Sequence, residues 1–306
     1  MNVVQSKFVL FAVAKINITR GAAFLVPRSK TISTTISAAR SFGCEIELLC
    51  DSSNTVYDIS NAIINSGEQV IIPTQQIRQT TTAWKLVRDV SLPANRSIEV
   101  VSPILQGENG RLRLKRTVEW INHYSSIGVD KRTGYHVHIG LEGIRFEGVQ
   151  RLSQNWVKYE DAIDLILPSS RREDTNRLIR SVRNNSNFKG KTNKQVNDRI
   201  GRTKNMQQLR DLMNPGNRYY KFNLRTGSNR NTVEFRAHSG TREPGKMIMW
   251  IRFLVEFIEA SARKNAPDNF LDIRAPVYKF KRLFMWVVCD TTLKNYYNQR
   301  RIKLDR

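Results

Sequence analysis

The sequence predicts an α+β protein whose central sheet carries charged side chains on one of its two faces. Four segments, residues 43–48, 97–101, 134–140 and 232–236, alternate polar and apolar residues with the period of two that is typical of a strand. Segments with helical periodicity lie between them along the chain. Since residues i and i+2 of a strand point to the same face, the polar residues of each segment would project together from one side of the sheet.

The histidine pair gives the clearest example of this pattern. His136 and His138 would point to one face, while Val137 and Ile139 pack on the other. A neutral imidazole is a common metal ligand and a hydrogen-bond partner for phosphate. Taken alone, the pair fits equally well two structural histidines on a half-buried strand.

Carboxylates repeat the pattern in the other three segments. Glu45 and Glu47 share one face of their strand, Glu234 shares a face with Arg236, and Glu99 stands between β-branched residues. Burying several carboxylates is costly unless a cation compensates them, so one shared polar site explains all three segments. Oxygen ligands with one imidazole suit Mg²⁺ or Mn²⁺, and an arginine beside them suits phosphate. We therefore expect phosphoryl chemistry on a nucleotide.

The remaining elements follow from periodicity and from breakers such as Pro73 and Pro168. The expected strands are 69–72 and 84–92, and the expected helices are 56–64, 112–125, 146–167 and 246–262.

Composition limits the partners and the compartment. The chain has 306 residues, a formal net charge of +23 and a pI near 10.3, which favours polyanionic partners such as nucleic acid, nucleotides or acidic polymers. Its three cysteines lack zinc-type spacing and predict no disulfide framework, so we expect a reducing compartment, either the cytoplasm or the mitochondrial matrix. No apolar run is long enough to span a bilayer, and we expect no membrane partner.

Three regions are expected along the chain. Residues 1–39 form a basic extension without acids, which is either a transit peptide or a poorly ordered arm. Residues 40–262 form the catalytic domain, and residues 263–306 form a basic segment that packs on it. Within the domain, residues 171–230 carry sixteen Lys/Arg against four Asp/Glu. This basic segment is either a solvated face or an anion-receiving rim, and its centre, Asn184 to Lys194, is expected to be an exposed loop.

Five ordered stretches resemble the motifs of the amidoligases, which are relatives of glutamine synthetase and glutamate–cysteine ligase. The stretches are residues 42–47, the segment with Trp84, Asp89, Ser91 and Leu92, residues 98–103, residues 134–138 and residues 233–241. The resemblance covers about residues 40 to 260 and includes Tyr159-Glu160 and Pro168 with the arginines that follow it. Each motif alone is weak, and the resemblance is specific because all five occur in the same order along the chain.

The resemblance implies a glutamine-synthetase-like antiparallel catalytic sheet that binds ATP and two or more divalent ions. A carboxylate would be phosphorylated by ATP, and an amine or ammonia would attack the acyl phosphate to form an amide. Arg236 would neutralise the transferring phosphoryl group, His138 would lie on the nucleotide side, and Asp89 would serve the acceptor or the attacking amine. The implied metal ligands are Glu45, Glu47, Glu99, His136 and Glu234, with Glu234 also counted as catalytic.

Two other classes of function stay open from the residues alone. The same carboxylates and the positive charge would suit a metal-dependent nuclease, and a basic nucleic-acid-binding protein could use a ligase-like fold without catalysis. If the chain is a ligase, a basic rim fits an acidic acceptor such as a glutamyl or aspartyl side chain, an acidic peptide or another polyanion.

Overall fold

A computed structural model describes residues 36–50, 55–73, 81–88, 97–172, 174, 176–227, 231–266 and 275–305. The strands are β1 (Ser41–Cys50), β2 (Val70–Ile71), β3 (Trp84–Val87), β4 (Ser97–Val101), β5 (Leu105–Gln106), β6 (Ile127–Gly128), β7 (Gly134–Gly140), β8 (Phe222–Asn223) and β9 (Thr232–Ser239). The α-helices are α1 (Thr55–Asn65), α2 (Gly107–Ile121), α3 (Phe146–Asp164), α4 (Asn193–Gly201), α5 (Met206–Met213), α6 (Pro244–Arg263), α7 (Pro276–Arg282) and α8 (Thr291–Leu304).

The strands form one mainly antiparallel sheet in the order β2-β3-β4-β1-β7-β9-β8. The pairing of β2 with β3 is parallel, and the other pairings are antiparallel. The short strands β5 and β6 pair with the two ends of β1. The predicted α+β class with a largely antiparallel sheet is confirmed.

The apolar face of the sheet packs on helices. Trp156 of α3 stacks on Phe222 and contacts Phe235, and α3 also packs against α6. The inward-facing residues of the two central strands, such as Ile46 of β1 and Val137 of β7, are fully buried. Because this face takes the apolar half of each strand, the opposite face receives the charged half.

Most predicted elements lie where periodicity placed them. The helices expected at 56–64, 146–167 and 246–262 are observed within three residues at each end. Helix α2 starts five residues earlier than expected, through Gly107-Glu-Asn-Gly110, a composition typical of a turn. The strand expected at 84–92 ends at Val87, and residues 89–92 lie outside the described residues.

The centre of the basic segment differs from the exposed loop that was expected. Asn185 and Phe188 are buried, and the Asn185 side chain donates to the carbonyl of Met213 at 2.9 Å. Thr192 then starts α4 with a capping box that it shares with Gln195. The polar composition misled the prediction, because asparagine and threonine here bond to backbone groups instead of water.

The C-terminal residues add three short helical elements to the helix layer. Between α7 and α8 lies one π-helical stretch, Leu283–Val287. Tyr297 of α8 packs edge-on against Phe253 of α6, and Arg300 donates to the carbonyl of Ile166 at 2.8 Å. Across the described residues, no helix combines the length and the apolar character needed to cross a bilayer.

Candidate active site

The register of three neighbouring strands brings the predicted polar residues together. Glu45 of β1 lies opposite His136 of β7, and His138 of β7 lies opposite Glu234 of β9. Directly paired residues of antiparallel strands point to the same face. The charged face of the sheet therefore carries both histidines between two carboxylates.

Three of these side chains form a group with the geometry of a metal site. Glu45, His136 and Glu234 each offer one ligand atom, and these atoms all lie within 4.8 Å of one another. Two carboxylate oxygens and one imidazole nitrogen form a mostly hard donor set, which fits Mg²⁺ or Mn²⁺.

The hydrogen bonds of His136 fix which nitrogen faces the group. Its Nδ1 lies 3.4 Å from Arg236 Nη1 and 3.4 Å from a Glu45 oxygen, while its Nε2 lies 3.3 Å from a Glu47 oxygen. Nδ1 therefore faces the carboxylates of Glu45 and Glu234, and Glu47 contacts the opposite side of the ring and orients it.

Glu47 lies between the histidine and the start of β7. One of its oxygens accepts a 2.6 Å hydrogen bond from the Gly134 N–H, and the other faces His136. A Cβ at position 134 would lie 2.6 Å from His136 Nε2, so only glycine fits there. Glu99 of β4 is in register opposite Glu47, one strand away from the three-residue group.

The electrostatics of the group keep its carboxylates ionised. Burial opposes the ionisation of Glu45, but hydrogen bonds from His136 and His138 outweigh it and hold the pKa of Glu45 well below its usual range. Burial likewise opposes the ionisation of Glu234, and the charge of Arg236 outweighs it and lowers the pKa of Glu234. The site is thus prepared to receive a cation.

Glu234 has two supporting partners. Arg236 Nη1 donates to one of its oxygens, and Asn223 of β8 donates to the other at 2.7 Å. Asn223 is fully buried and lies in register opposite Glu234. A carboxylate held at both oxygens keeps a fixed orientation, as a metal ligand needs.

A β-bulge in β9 separates His238 from the site. Val137 pairs with Phe235 but Tyr135 pairs with His238, so β9 contains one extra residue at this point. Strict alternation would place His238 beside Arg236, whereas its ring packs on Tyr135 and Trp250 in the core. Burial lowers the pKa of His238 to about 3, and the ring is neutral.

A cavity of about 200 Å³ adjoins the group at the His138 end. His138 lines it, with Nε2 at 3.1 Å from Glu45 and Nδ1 at 3.4 Å from the Thr232 hydroxyl. Lys85 of β3 also lines the cavity although it is only 4% exposed. The glycine at position 43 forms part of the wall, where a Cβ would meet nothing closer than 3.9 Å.

The structure brings most of the predicted site residues to one place. The contacts above link six of them to one another, and Glu99 lies on β4, the strand next to β1. The six are Glu45, Glu47, His136, His138, Glu234 and Arg236. Asp89 lies outside the described residues.

Three further residues of this region were not predicted from the sequence. They are Asn223, Lys85 and the buried Arg171. Alternation along β3 could have found Lys85, because it pairs with Val101, which in turn lies opposite Glu45. Asn223 and Arg171 lie outside any periodic pattern. Arg171 is one of the arginines after Pro168 that the family resemblance includes, but the resemblance gave it no role in the site.

The sequence model of the family described as "Putative amidoligase enzyme" matches residues 38–258, well over half of the chain. No curated protein matches the chain.

Among solved structures, a bifunctional glutathione synthetase from Pasteurella multocida is similar at 11% identity and a TM-score of 0.42. The match covers 87% of this chain and 47% of that protein, so the chain spans about half the length of that structure.

Proposed function

The chain belongs to the amidoligase family, and we propose that it is an ATP-dependent carboxylate–amine ligase that forms an amide or isopeptide bond through an acyl phosphate. We assign the chemistry to residues 40–262, with the basic segment as an insertion and residues 263–306 as a segment that packs on the domain. We also place it in the superfamily of glutamine synthetase and glutamate–cysteine ligase.

The observation that carries the proposal is the group of Glu45, His136 and Glu234 with Arg236 beside it. The three ligand atoms lie within 4.8 Å of one another, and the guanidinium contacts both His136 and Glu234. Catalysis of phosphoryl transfer depends on neutralising charge and positioning the reactants more than on covalent catalysis. These four residues can supply both the charge and the positioning.

The site residues would have different roles in the reaction. Glu45, His136 and Glu234 would hold one divalent ion, and Glu47 and Glu99 would contribute to a second. When bound, such an ion supplies positive charge to phosphate oxygens. Arg236 presents its planar fork to the transferring phosphoryl group, which a point charge such as lysine matches poorly.

The proposed reaction has two balanced steps. An oxygen of the acceptor carboxylate attacks the γ-phosphorus of ATP, the bond to the bridging oxygen breaks, and ADP leaves. The amine or ammonia then attacks the acyl carbon, the carbon–oxygen bond to phosphate breaks, and inorganic phosphate leaves as the amine loses a proton. The amide nitrogen comes from the donor, and one carboxylate oxygen ends in phosphate.

The cavity beside His138 supports a position for the nucleotide. It borders Glu45 directly, and the buried Lys85 brings positive charge to its lining. We assign ATP to this cavity, with its phosphates towards the metal group. Asp89 keeps its proposed role near the acceptor or the amine.

The nuclease and nucleic-acid-binding alternatives receive no support from these comparisons. The family match concerns amide-bond formation, and the charge of +23 alone does not distinguish nucleic acid from an acidic acceptor.

Oxygen-18 transfer tests the proposal directly. The chain is incubated with Mg·ATP, hydroxylamine and a panel of carboxylic acids labelled with oxygen-18 in the carboxylate. We expect hydroxamate from at least one acid and one labelled oxygen in the phosphate released. Glu234→Gln should lose this activity, whereas Glu119→Gln, at an exposed position of α2, should keep it. Phosphate release without label, or ADP formation that no acid stimulates, would refute an acyl-phosphate ligase.

A further inference from the structure

The cavity borders the metal group, which is Glu45, His136 and Glu234, on one side only. His138 and Glu45 line the cavity, while Glu47, Arg171 and Arg236 are not among its lining residues. If ATP occupies the cavity, the second reactant must reach the phosphoryl group from the Arg236 end. Tyr219, whose ring lies 6.0 Å from the Arg236 guanidinium, is 37% exposed, so this end has contact with solvent.

Arg171 is buried at this second end. It closes the short 3₁₀ turn Ser169–Arg171 after α3 and is only 2% exposed. Its Nη2 donates to the backbone carbonyls of Arg132 and Thr133, and among the described residues its Nε has no partner. Burial lowers the pKa of Arg171, with the charge of Glu47 acting against this and the charge of Arg236 adding to it. Among the described residues, the hydrogen bonds of Arg171 go to backbone carbonyls and no carboxylate accepts from it directly, so a bound anion would offset part of the cost of burying this guanidinium.

One peptide bond links Arg171 to the metal group. Arg171 donates to the carbonyl of Thr133, and the N–H of the same peptide, at Gly134, donates to Glu47. The guanidinium therefore lies one peptide unit from Glu47. The Nε of Arg236 also has no partner among the described residues, so two buried guanidinium groups near Glu47 keep an unused donor.

Building on the proposed function, we infer that Arg171 binds the carboxylate of the acceptor acid and holds it next to Arg236, at the end of the metal group away from the cavity. The planar guanidinium matches a carboxylate, and the buried position makes the charge-assisted hydrogen bond strong. The ligand class is a carboxylic acid, either free or on a side chain. A phosphate oxyanion of ATP has related chemistry, and the experiment separates the two.

The test measures thermal stabilisation, so it does not depend on turnover. The melting temperature of the full chain is recorded with Mg·ATP alone and, separately, with Mg²⁺ and acetate, succinate, glutarate or L-glutamate. At least one acid should stabilise the parent. Arg171→Gln should weaken that acid about 10- to 100-fold, as expected for loss of a hydrogen bond to a charged group. The concentration of Mg·ATP needed for half-maximal stabilisation should change by less than about twofold in this variant. A tenfold change would correspond to about 1.4 kcal/mol.

Two further variants keep the result interpretable. Arg177→Gln removes the same charge from an exposed position of the basic segment and should bind both ligands like the parent. Arg171→Lys keeps the charge without the fork and replaces Arg171→Gln if the latter does not fold; it should also weaken the acid by about tenfold.

Three results would overturn the inference, and a fourth concerns only the proposed function. The inference fails if no acid stabilises the parent, if the stabilisation by acid survives both Arg171 variants, or if these variants lose Mg·ATP instead of the acid, which would place a phosphate on Arg171. Failure of the parent to bind Mg·ATP, with acid binding intact and dependent on Arg171, would refute the ligase and leave the carboxylate site standing.

Discussion

Glu160 of α3 accepts a 2.9 Å hydrogen bond from the backbone N–H of Val182, in the basic segment. The same carboxylate accepts from the Arg183 N–H and the Ser181 hydroxyl, both at 2.8 Å, and from the Trp156 indole at 3.3 Å. Glu160 and Val182 are both buried. One carboxylate thus satisfies the donors of a three-residue stretch and holds it against the helix layer.

Glu160→Gln should therefore destabilise the fold. A glutamine amide has one acceptor oxygen and two donor hydrogens, so at least one backbone N–H at 182 or 183 would lose its partner inside the protein. We expect a loss of about 2–4 kcal/mol in the free energy of unfolding. Urea denaturation measures this loss, and amide exchange should accelerate first at 181–183. Glu147→Gln, at an exposed position of the same helix, is the control. Equal stability of the two variants would show that Glu160 is dispensable.

Arg236→Lys should behave as a severe substitution. The Arg236 guanidinium contacts Glu234 and His136 at once and keeps a further N–H, Nε, without a partner among the described residues. A lysine offers a point charge in place of this planar set. We expect kcat to fall at least about 100-fold, the size typical of a lost transition-state contact. Steady-state kinetics with Mg·ATP measure the effect, and a loss under about tenfold would assign Arg236 a structural role.

Gly43→Val should block the cavity without disturbing the metal group. A Cβ at position 43 meets nothing closer than 3.9 Å, so the two added methyl groups would occupy the cavity and the backbone would not be strained. We expect Mg·ATP to bind at least about tenfold more weakly, or about 1.4 kcal/mol. Mn²⁺ binding should persist. Calorimetry gives both constants. Gly128→Val adds the same side chain to β6, where a Cβ meets nothing within 4 Å, and should leave both unchanged. If Gly43→Val bound Mg·ATP with the affinity of the parent, the nucleotide would not occupy this cavity.

Local geometry explains which parts of the site could be predicted from the sequence. The period of two places Glu45 with Glu47 and His136 with His138 whatever the fold, because side-chain direction depends only on the strand itself. The period of two does not show which strands are neighbours, because strand pairing joins residues far apart in the sequence. That β1, β7 and β9 share one charged face was inferred from the chemistry of their side chains.

Other contributions arise from tertiary structure alone. The bulge in β9 turns His238 into the core, whereas strict alternation from Glu234 and Arg236 would place it on the charged face. Lys85 looks like a surface residue in the sequence but is buried in the cavity wall. Arg171 is one of sixteen basic residues in its segment. The family resemblance includes the arginines after Pro168, but only the turn after α3 shows that Arg171 is the one buried against the Thr133 carbonyl.

His238 should contribute a measurable part of the acid sensitivity of the fold. Burial lowers its folded pKa to about 3, against a reference value of 6.5, so the unfolded chain binds a proton that the folded chain does not. The contribution of the neutral His238 ring to the free energy of unfolding is therefore fully present above pH 6.5. It declines as the pH falls from 6.5 towards 3. At pH 5 the decline amounts to about 2 kcal/mol, at 1.36 kcal/mol per unit.

His238→Asn removes this titration while keeping a side-chain donor for the Ser239 carbonyl. Its free energy of unfolding, whatever its value at pH 8, should fall less steeply between pH 6.5 and 5 than that of the parent. Urea denaturation at four pH values checks this. The variant His123→Asn, at an exposed position, controls for the loss of an imidazole. Parallel curves for His238→Asn and the parent would contradict a buried neutral ring.

The last prediction separates the two roles considered for the basic segment. Lys189, Lys191 and Lys194 lie at the turn before α4 and on its first residues, and α4 packs against α3 in the helix layer behind the sheet. Lys194 pairs with Asp198 at 2.9 Å on the helix surface. This placement favours a solvated face for the three lysines, whereas Arg171 and Tyr219 of the same segment lie near Arg236. Exposed charges are screened beyond about 8 Å at physiological ionic strength.

Replacing all three lysines by glutamine should therefore leave the Michaelis constant of the acid substrate within about twofold at both low and physiological salt, because screened charges on the far face contribute little to capture. Arg171→Gln, which removes a single charge, should raise the same constant at both salt concentrations, because a buried contact is screened much less. If the triple variant instead raises the constant only at low salt, the lysines form a long-range rim. If it loses retention on an RNA or DNA column with unchanged kinetics, they form a separate polyanion-binding surface. The comparison of three surface charges with one buried charge thus locates where the basic segment acts.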